Sequence, residues 1–227
     1  MYEKKEQAAL AAMGLIQDGM VIGLGGGRTI ALLVQLIAES GKDVKVVTPS
    51  WETKQLCAQN NVLVVPTETV KSLTVAFDGC NEVDYNFYAL KSGGGIHTQE
   101  KLIAAMAEVF IILADDEKYV DRLRLADPVT LEVLPEAALF VQKQVSVIGA
   151  SANVRKSPNK DGFTRTDNGN LLLDCYFPND VDPRQLHGYL KSLTGVVETA
   201  LFIDLVDIIL VADGNGVHRY VREESRD

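Results

Sequence analysis

The sequence predicts an α/β fold: a mostly parallel, Rossmann-like sheet with helices on both faces, plus a ferredoxin-like α+β insert. Three observations carry that prediction. Over the first 115 residues, short apolar runs alternate with stretches of helical periodicity, the order expected when buried parallel strands are joined by helical crossovers. From residue 128 onward the rhythm becomes strand, helix, strand, strand, helix, strand, a βαββαβ arrangement. The chain has 227 residues, 47% of them hydrophobic and 23% charged, enough for one or two packed domains and unlike a disordered chain.

The elements follow in order. Residues 4–16 place Ala8, Ala9, Ala12, Met13 and Ile16 at helical spacing, and 20–24 is an apolar run ending in glycines, read as a buried strand. Residues 29–40 are helical, with Ile30, Leu33, Val34, Ile37 and Ala38 on one face. Strands are expected at 44–47, 62–65, 73–77 and 109–114, and helices at 51–59 and 98–108. In the second part, 129–133 is a strand and 135–144 a helix with Pro135 near its start. Strands at 145–154, 171–177 and 196–202 and a helix at 183–192 complete the insert. Residues 207–211 and 217–221 flank Gly214-Asn215-Gly216 as a closing hairpin that returns to the first sheet. The expected division is 1–127 with 206–227 as a Rossmann-like catalytic domain and 128–205 as the ferredoxin-like domain.

Charge and cysteine content exclude several function classes. Lys+Arg 22 against Asp+Glu 31 leaves a net charge of −9, which repels a polyanion, so no nucleic-acid partner is expected. No apolar run reaches spanning length, the longest lying around 109–114, so no membrane segment is expected. The charged N-terminus, Met1 to Glu6, is not followed by a signal-type apolar core. Cys57, Cys80 and Cys175 are odd in number and lack CxxC spacing, which fits reduced thiols in a cytoplasm rather than a disulfide framework or zinc site. His97, His187 and His218 share no metal-ligand spacing and read as surface or satisfied histidines, so no metal is expected.

Three loops could carry chemistry. In Gly23-Leu24-Gly25-Gly26-Gly27-Arg28-Thr29, glycines between a strand and a helix let the backbone approach an anion, and the helix start supplies N–H donors. A tight turn without a ligand accounts for the same residues equally well. The spacing matches neither GxGxxG nor a Walker loop. Arg28 could grip a phosphate bidentately or simply solvate the loop. Asp78-Gly79-Cys80-Asn81-Glu82 sits just past a strand, at the edge where open α/β sheets bind ligands, although a polar turn alone explains it better. Lys91-Ser92-Gly93-Gly94-Gly95, followed by Glu100 and Lys101, sets a cation and a base around one loop. Helix-dipole stabilisation accounts for Glu100 and solvation for Lys91, but neither accounts for three entropically costly glycines. Asp115-Asp116-Glu117-Lys118 reads as a charged turn and Thr166-Asp167-Asn168-Gly169-Asn170 as a hairpin. Cys80 has no adjacent base and is not read as a nucleophile. Tyr85, Phe87 and Tyr88 are expected to pack or to edge a loop.

Taken together and in this order, the five segments, with Gly195-Val196-Val197-Glu198 beyond them, make the chain resemble the ribose-5-phosphate isomerase type A family over nearly its whole length. The family's segments read GTGST, DGADE, KGGGG followed by R-E-K, A-D-x-S/D-K, TDNGN and PGVVE. The resemblance implies interconversion of ribose 5-phosphate and ribulose 5-phosphate through a cis-enediol, within the pentose phosphate pathway, in the cytoplasm, with no metal or cofactor. By position, Glu100 resembles the proton acceptor, Lys91 the cation beside the enediolate oxygen, and Asp78 the carboxylate that handles hydroxyl protons and ring opening. Substrate-binding positions carried over are Gly26, Gly27, Arg28, Thr29, Gly79, Cys80, Asn81, Ser92, Gly93, Gly94, Lys118 and Lys5. The resemblance also implies a homodimer or homotetramer. The chain departs from the pattern at Asn81, where the family has an acid, at Gly26 and Arg28, where it has hydroxyls, at Thr194, where it has proline, and at His97. Two alternatives follow from those departures: an isomerase for another sugar phosphate, or a sugar-phosphate-binding protein without turnover. A nucleotide-binding α/β domain is a third reading, and the missing dinucleotide spacing argues against it.

Overall fold

A computed structural model describes residues 2–178 and 181–223; Met1, residues 179–180 and residues 224–227, all within the predicted segments, lie outside the described residues. The chain runs α1 (Tyr2–Met13), β1 (Val21–Leu24), α2 (Arg28–Ser40), β2 (Lys45–Val47), α3 (Trp51–Gln59), β3 (Leu63–Val64), β4 (Val75–Asp78), β5 (Glu82–Asp84), β6 (Ala89–Leu90), α4 (His97–Met106), β7 (Phe110–Asp115) and β8 (Tyr119–Val120). It continues with β9 (Val129–Val133), α5 (Ala138–Val147), β10 (Ser151–Val154), β11 (Leu171–Tyr176), α6 (Pro183–Ser192), β12 (Val196–Thr199), β13 (Leu201–Phe202), β14 (Ile208–Ala212) and β15 (Val217–Val221).

The main sheet has the order β15-β14-β7-β4-β1-β2-β3, with every neighbour pair parallel except the β14–β15 hairpin. Alternation along β7 shows why both faces are covered. Ile111 and Leu113 pack with Ala8, Ala12, Ile30 and Leu33 of α1 and α2, while Phe110, Ile112 and Ala114 pack with Ile103 and Ala104 of α4. Helix α1 ends at Met13 rather than Ile16, because Gly14 starts a turn in which Leu15 and Ile16 donate three residues back; Ile16 is nevertheless buried.

The second sheet is wholly antiparallel, in the order β10-β11-β9-β12, which is the ferredoxin-like strand arrangement. One face, built from Val129, Leu131, Val133, Leu171, Leu173 and Cys175, packs on Val141 and Val145 of α5 and Leu186 and Leu190 of α6. Residues 145–154 are not one strand. Helix α5 continues to Val147 because Ala138, Val141 and Val145 recur at helical spacing on its buried face; Gly149, at φ 80°, then turns the chain into the short β10.

A third, small sheet, β13-β6-β5-β8, has no counterpart in the predicted elements. Its creation splits the expected strand at 196–202. At Ala200 the chain leaves the insert sheet as β12 and enters the small sheet as β13. No helix among the described residues is long and apolar enough to cross a membrane.

Candidate active site

In the main sheet β1 lies between β2 and β4, so the chain reverses direction across the sheet there, and a crevice opens beyond the C-terminal strand ends. A cavity of about 610 Å³ occupies this position. Its floor depends on Gly25, whose N–H donates to the Phe77 carbonyl at 2.9 Å. A Cβ on Gly25 would lie 1.9 Å from Asp78 Cγ, so only glycine leaves room for that carboxylate between the two strand ends. Asp78 Oδ1 accepts from the Gly79 N–H at 2.8 Å and the Gly26 N–H at 3.4 Å.

Lys91 follows β6, its N–H fixed to the Ala200 carbonyl at 2.9 Å. Its ammonium lies 2.9 Å from Asp78 Oδ2 and 3.4 Å from Glu100 Oε1, and donates to the Gly79 carbonyl at 2.6 Å. The three side chains keep only 6%, 5% and 10% of their surface exposed, for Lys91, Asp78 and Glu100. Burial alone pushes the Lys91 pKa down, but the Asp78 and Glu100 carboxylates outweigh it and hold the ammonium above its ordinary range. Glu100 stands in the first turn of α4, its N–H bonded to the Ile96 carbonyl at 3.0 Å. Burial raises its pKa; Lys91 pulls it down and Asp78 pushes it up, and the net position is about 7. A carboxyl poised there can both take and return a proton at neutral pH.

The opposite rim is open. Gly27 precedes α2 at φ 90° and supplies no side-chain cap to its first N–H groups. Arg28 and Thr29 begin the helix, and Lys5 of α1 and Lys118 after β7 line the same cavity. Lys118 donates to the Cys80 carbonyl at 2.8 Å. Lys5, Arg28, Lys91 and Lys118 thus face Glu52, Asp78 and Glu100, an excess of cations in a chain whose net charge is −9. This end suits an anion, and the buried end suits proton transfer.

Every sequence-predicted site residue lines this cavity except Ser92. Ser92 is buried behind the loop, where its N–H donates to Asn81 Oδ1 at 2.9 Å and its hydroxyl to the Pro128 carbonyl. The contact with Asn81 also gives a reason for an amide at that position. Its oxygen accepts from Ser92 while its nitrogen donates to Asp127 Oδ2 at 2.8 Å, a pairing that a carboxylate could not make. Burial pushes the Cys80 thiol up to about 12, so it carries no thiolate at neutral pH. His97 is not at the surface: it is fully buried, with Nε2 3.3 Å from the Glu198 carbonyl and Nδ1 unpartnered among the described residues. Burial pushes its pKa down to about 4, so it is neutral.

Ser50, Trp51, Glu52, Ile96 and Leu113 also line the cavity and were not singled out from the sequence. Ser50 caps α3, accepting from the Thr53 N–H at 3.2 Å. A serine between a predicted strand and helix, beside the glycine loop in the sheet, was the available signal for this part of the wall.

The model of the ribose 5-phosphate isomerase A (phosphoriboisomerase A) family matches residues 45–216. Ribose-5-phosphate isomerase A of Pyrococcus horikoshii is 37% identical over 225 residues, covering 97% of this chain and 98% of that protein. Its counterpart in Prochlorococcus marinus (strain NATL1A) is 40% identical over 215 residues, covering 92% and 91%. Among solved structures, ribose 5-phosphate isomerase A of Methanocaldococcus jannaschii superposes with a TM-score of 0.90 at 35% identity, covering 97% of this chain and 99% of that one. A D-ribose-5-phosphate isomerase in complex with phospho-erythronic acid superposes with a TM-score of 0.92 at 37% identity, covering 97% and 98%.

Proposed function

Since the chain belongs to the ribose 5-phosphate isomerase A family and is an aldose–ketose isomerase, we propose that it interconverts ribose 5-phosphate and ribulose 5-phosphate through Glu100, Lys91 and Asp78. In the open-chain aldose, the Glu100 carboxylate takes the proton from C2, and the electron pair moves to leave an enediolate with its charge on O1. The Lys91 ammonium donates to that oxygen. Asp78 carries the hydroxyl proton from O2 to O1, and protonated Glu100 returns its proton to C1. One hydrogen moves between carbons and one between oxygens, so the step needs no redox partner.

The observation that carries this reading is the single ammonium shared by two nearly buried carboxylates. Its distance to Glu100 is the longest of its three contacts, so a substrate oxygen can take that place without disturbing Asp78 or Gly79. At the other end, Lys5, Arg28, Lys118 and the start of α2 would hold the phosphate, whose remote binding energy orients the reacting carbons. Gly26, Gly27, Thr29, Gly79, Cys80, Asn81, Gly93 and Gly94 complete the substrate wall.

Residues 128–205 are read as a second domain whose last strand crosses to the catalytic one. Exposed Leu139, Phe140 and Val147 on α5 support assembly as a homodimer or homotetramer, and three buried unpaired thiols support a cytoplasmic setting. Conversion of ribose 5-phosphate, assayed with Glu100→Gln beside the unmodified protein, tests the reading. We expect turnover that falls by about 10³–10⁴-fold in the variant. Equal rates in the two would overturn the assignment of Glu100.

A further inference from the structure

The two faces of the insert sheet differ in kind. The face opposite α5 and α6 presents Thr130, Glu132, Asp174 and Glu198, and these meet the segment from Lys91 to Lys101. Glu132 is 1% exposed. Its Oε1 accepts from the Thr166 hydroxyl at 2.9 Å and from the side-chain amides of Asn168 at 3.1 Å and Asn170 at 2.7 Å; its Oε2 accepts from the Thr98 hydroxyl. Directly opposite Glu132 in register, Glu198 receives the Lys101 ammonium at 2.8 Å. Thr98 and Lys101 stand on either side of Glu100 on α4. Farther along, Asp174 holds Arg155, which donates to the carbonyls of Ser92 at 2.9 Å and Gly93 at 3.2 Å, next to Lys91.

Stability alone does not ask for this arrangement. Two carboxylates opposite each other on neighbouring strands repel, and well-packed apolar residues would serve a buried face at least as well. Burial pushes the Glu132 pKa up, yet its four donors reverse that and hold the carboxyl below its ordinary range. The donor set is aimed at a fixed anion whose outer oxygen grips the residue two positions before Glu100.

We propose that Glu132, acting through Thr98 and braced by the 166–170 turn, is a positioning residue that sets the Glu100 carboxylate against Lys91 and the substrate carbons. This rests on the reading of Glu100 as the base. The hydroxyl holds the start of α4 in register, and its loss lets the carboxylate drift, where a misplacement of about 1 Å costs on the order of 10²-fold in rate. The phosphate-binding rim lies on other elements, so the loss falls on kcat and not on KM.

The test uses Thr98→Val, Thr98→Ser, Glu132→Gln and Glu100→Gln, each checked for folding by circular dichroism. Thr98→Val and Glu132→Gln are expected to lower kcat by about 10–10²-fold, with KM for ribose 5-phosphate within about threefold of the unmodified value. Thr98→Ser restores the hydroxyl and returns kcat to within about threefold. Should Thr98→Val not fold, the kcat–KM split of Glu132→Gln gives the same reading. Unchanged kcat in Thr98→Val, an equal loss in Thr98→Ser, or a loss confined to KM overturns the proposal. If Glu100→Gln is inactive while Thr98→Val is unaffected, only the positioning role fails; if Glu100→Gln is fully active, the base assignment fails first.

Discussion

At one end of the cavity, Asp78, Lys91 and Glu100 are almost sealed from solvent and each has several partners; at the other, Gly27 and Arg28 are exposed. At the buried end Asp78, Lys91 and Glu100 keep the residue types of the family segments they resemble, although Asn81 nearby does not. The exposed rim is where a hydroxyl is replaced by glycine at Gly26 and another by a cation at Arg28. The difference is physical. A charge removed from a dry cluster leaves its partners unpaired, whereas a charge added at a hydrated rim meets water and mobile counterions. Phosphate can be gripped by several donor sets, but a proton shuttle between adjacent carbons tolerates little displacement.

The most direct way to sharpen this contrast is the loss of about 10³–10⁴-fold in kcat expected for Glu100→Gln, read by release of C2 deuterium into solvent. Next, Lys91→Met should lower kcat by about 10²–10³-fold, the cost of losing a donor to the enediolate oxygen. It should also lower Tm, because Asp78 and Glu100 lose their counterion; an unshifted Tm would mean that the triad is not the buried unit described here.

A third effect concerns pH. With Glu100 at about 7 against an ordinary 4.5, the folded state keeps a proton that the unfolded chain has released between those values. The group's contribution to stability is therefore complete below about pH 4.5 and is lost as pH rises to about 7. Tm measured from pH 4.5 to 8 should show this decline in the unmodified protein, and Glu100→Gln should flatten it. Over the same range kcat/KM should rise with pH, because the base must be ionised. A profile already flat at pH 5 would contradict a raised Glu100. The smallest effect is expected at the rim: Arg28→Ser should raise KM about tenfold with kcat unchanged, and added salt should shrink the difference. A tenfold fall in kcat instead would show that the two ends are not independent.

The sequence made the cavity legible where residue types cannot be explained locally. Three glycines after Lys91 are not explained by a simple turn, and the run before Arg28, which a tight turn explains equally well, gained weight only beside them; together they mark the loops that meet at the strand ends. The alternating apolar and helical rhythm likewise marked the main sheet. Less was visible where structure depends on distant partners. The two-residue strands β6, β8 and β13 are too short to show a period, and they form because β5 pairs with β6 and β8, and β6 in turn with β13. Val145 and Val147 favour a strand locally, but burial of Val145 on the sheet makes them the end of α5. Ser92 stands in a motif beside Lys91 that suggests a substrate-facing residue, yet its hydroxyl points back to Pro128. Glu132 gave no signal, and Glu198 none beyond its place in the 195–198 segment, since a glutamate in a strand reads as a solvent-facing residue until its partners on α4 are known.

Ala200 is a junction through which the insert and the site share a fate. Its N–H is spent on the Thr130 carbonyl in one sheet, and its carbonyl receives Lys91, the residue just beyond β6 in another. No slack separates the two connections. Heating that loosens either sheet will therefore draw the ammonium away from its carboxylates at the same moment, and turnover will vanish together with the tertiary structure rather than before it.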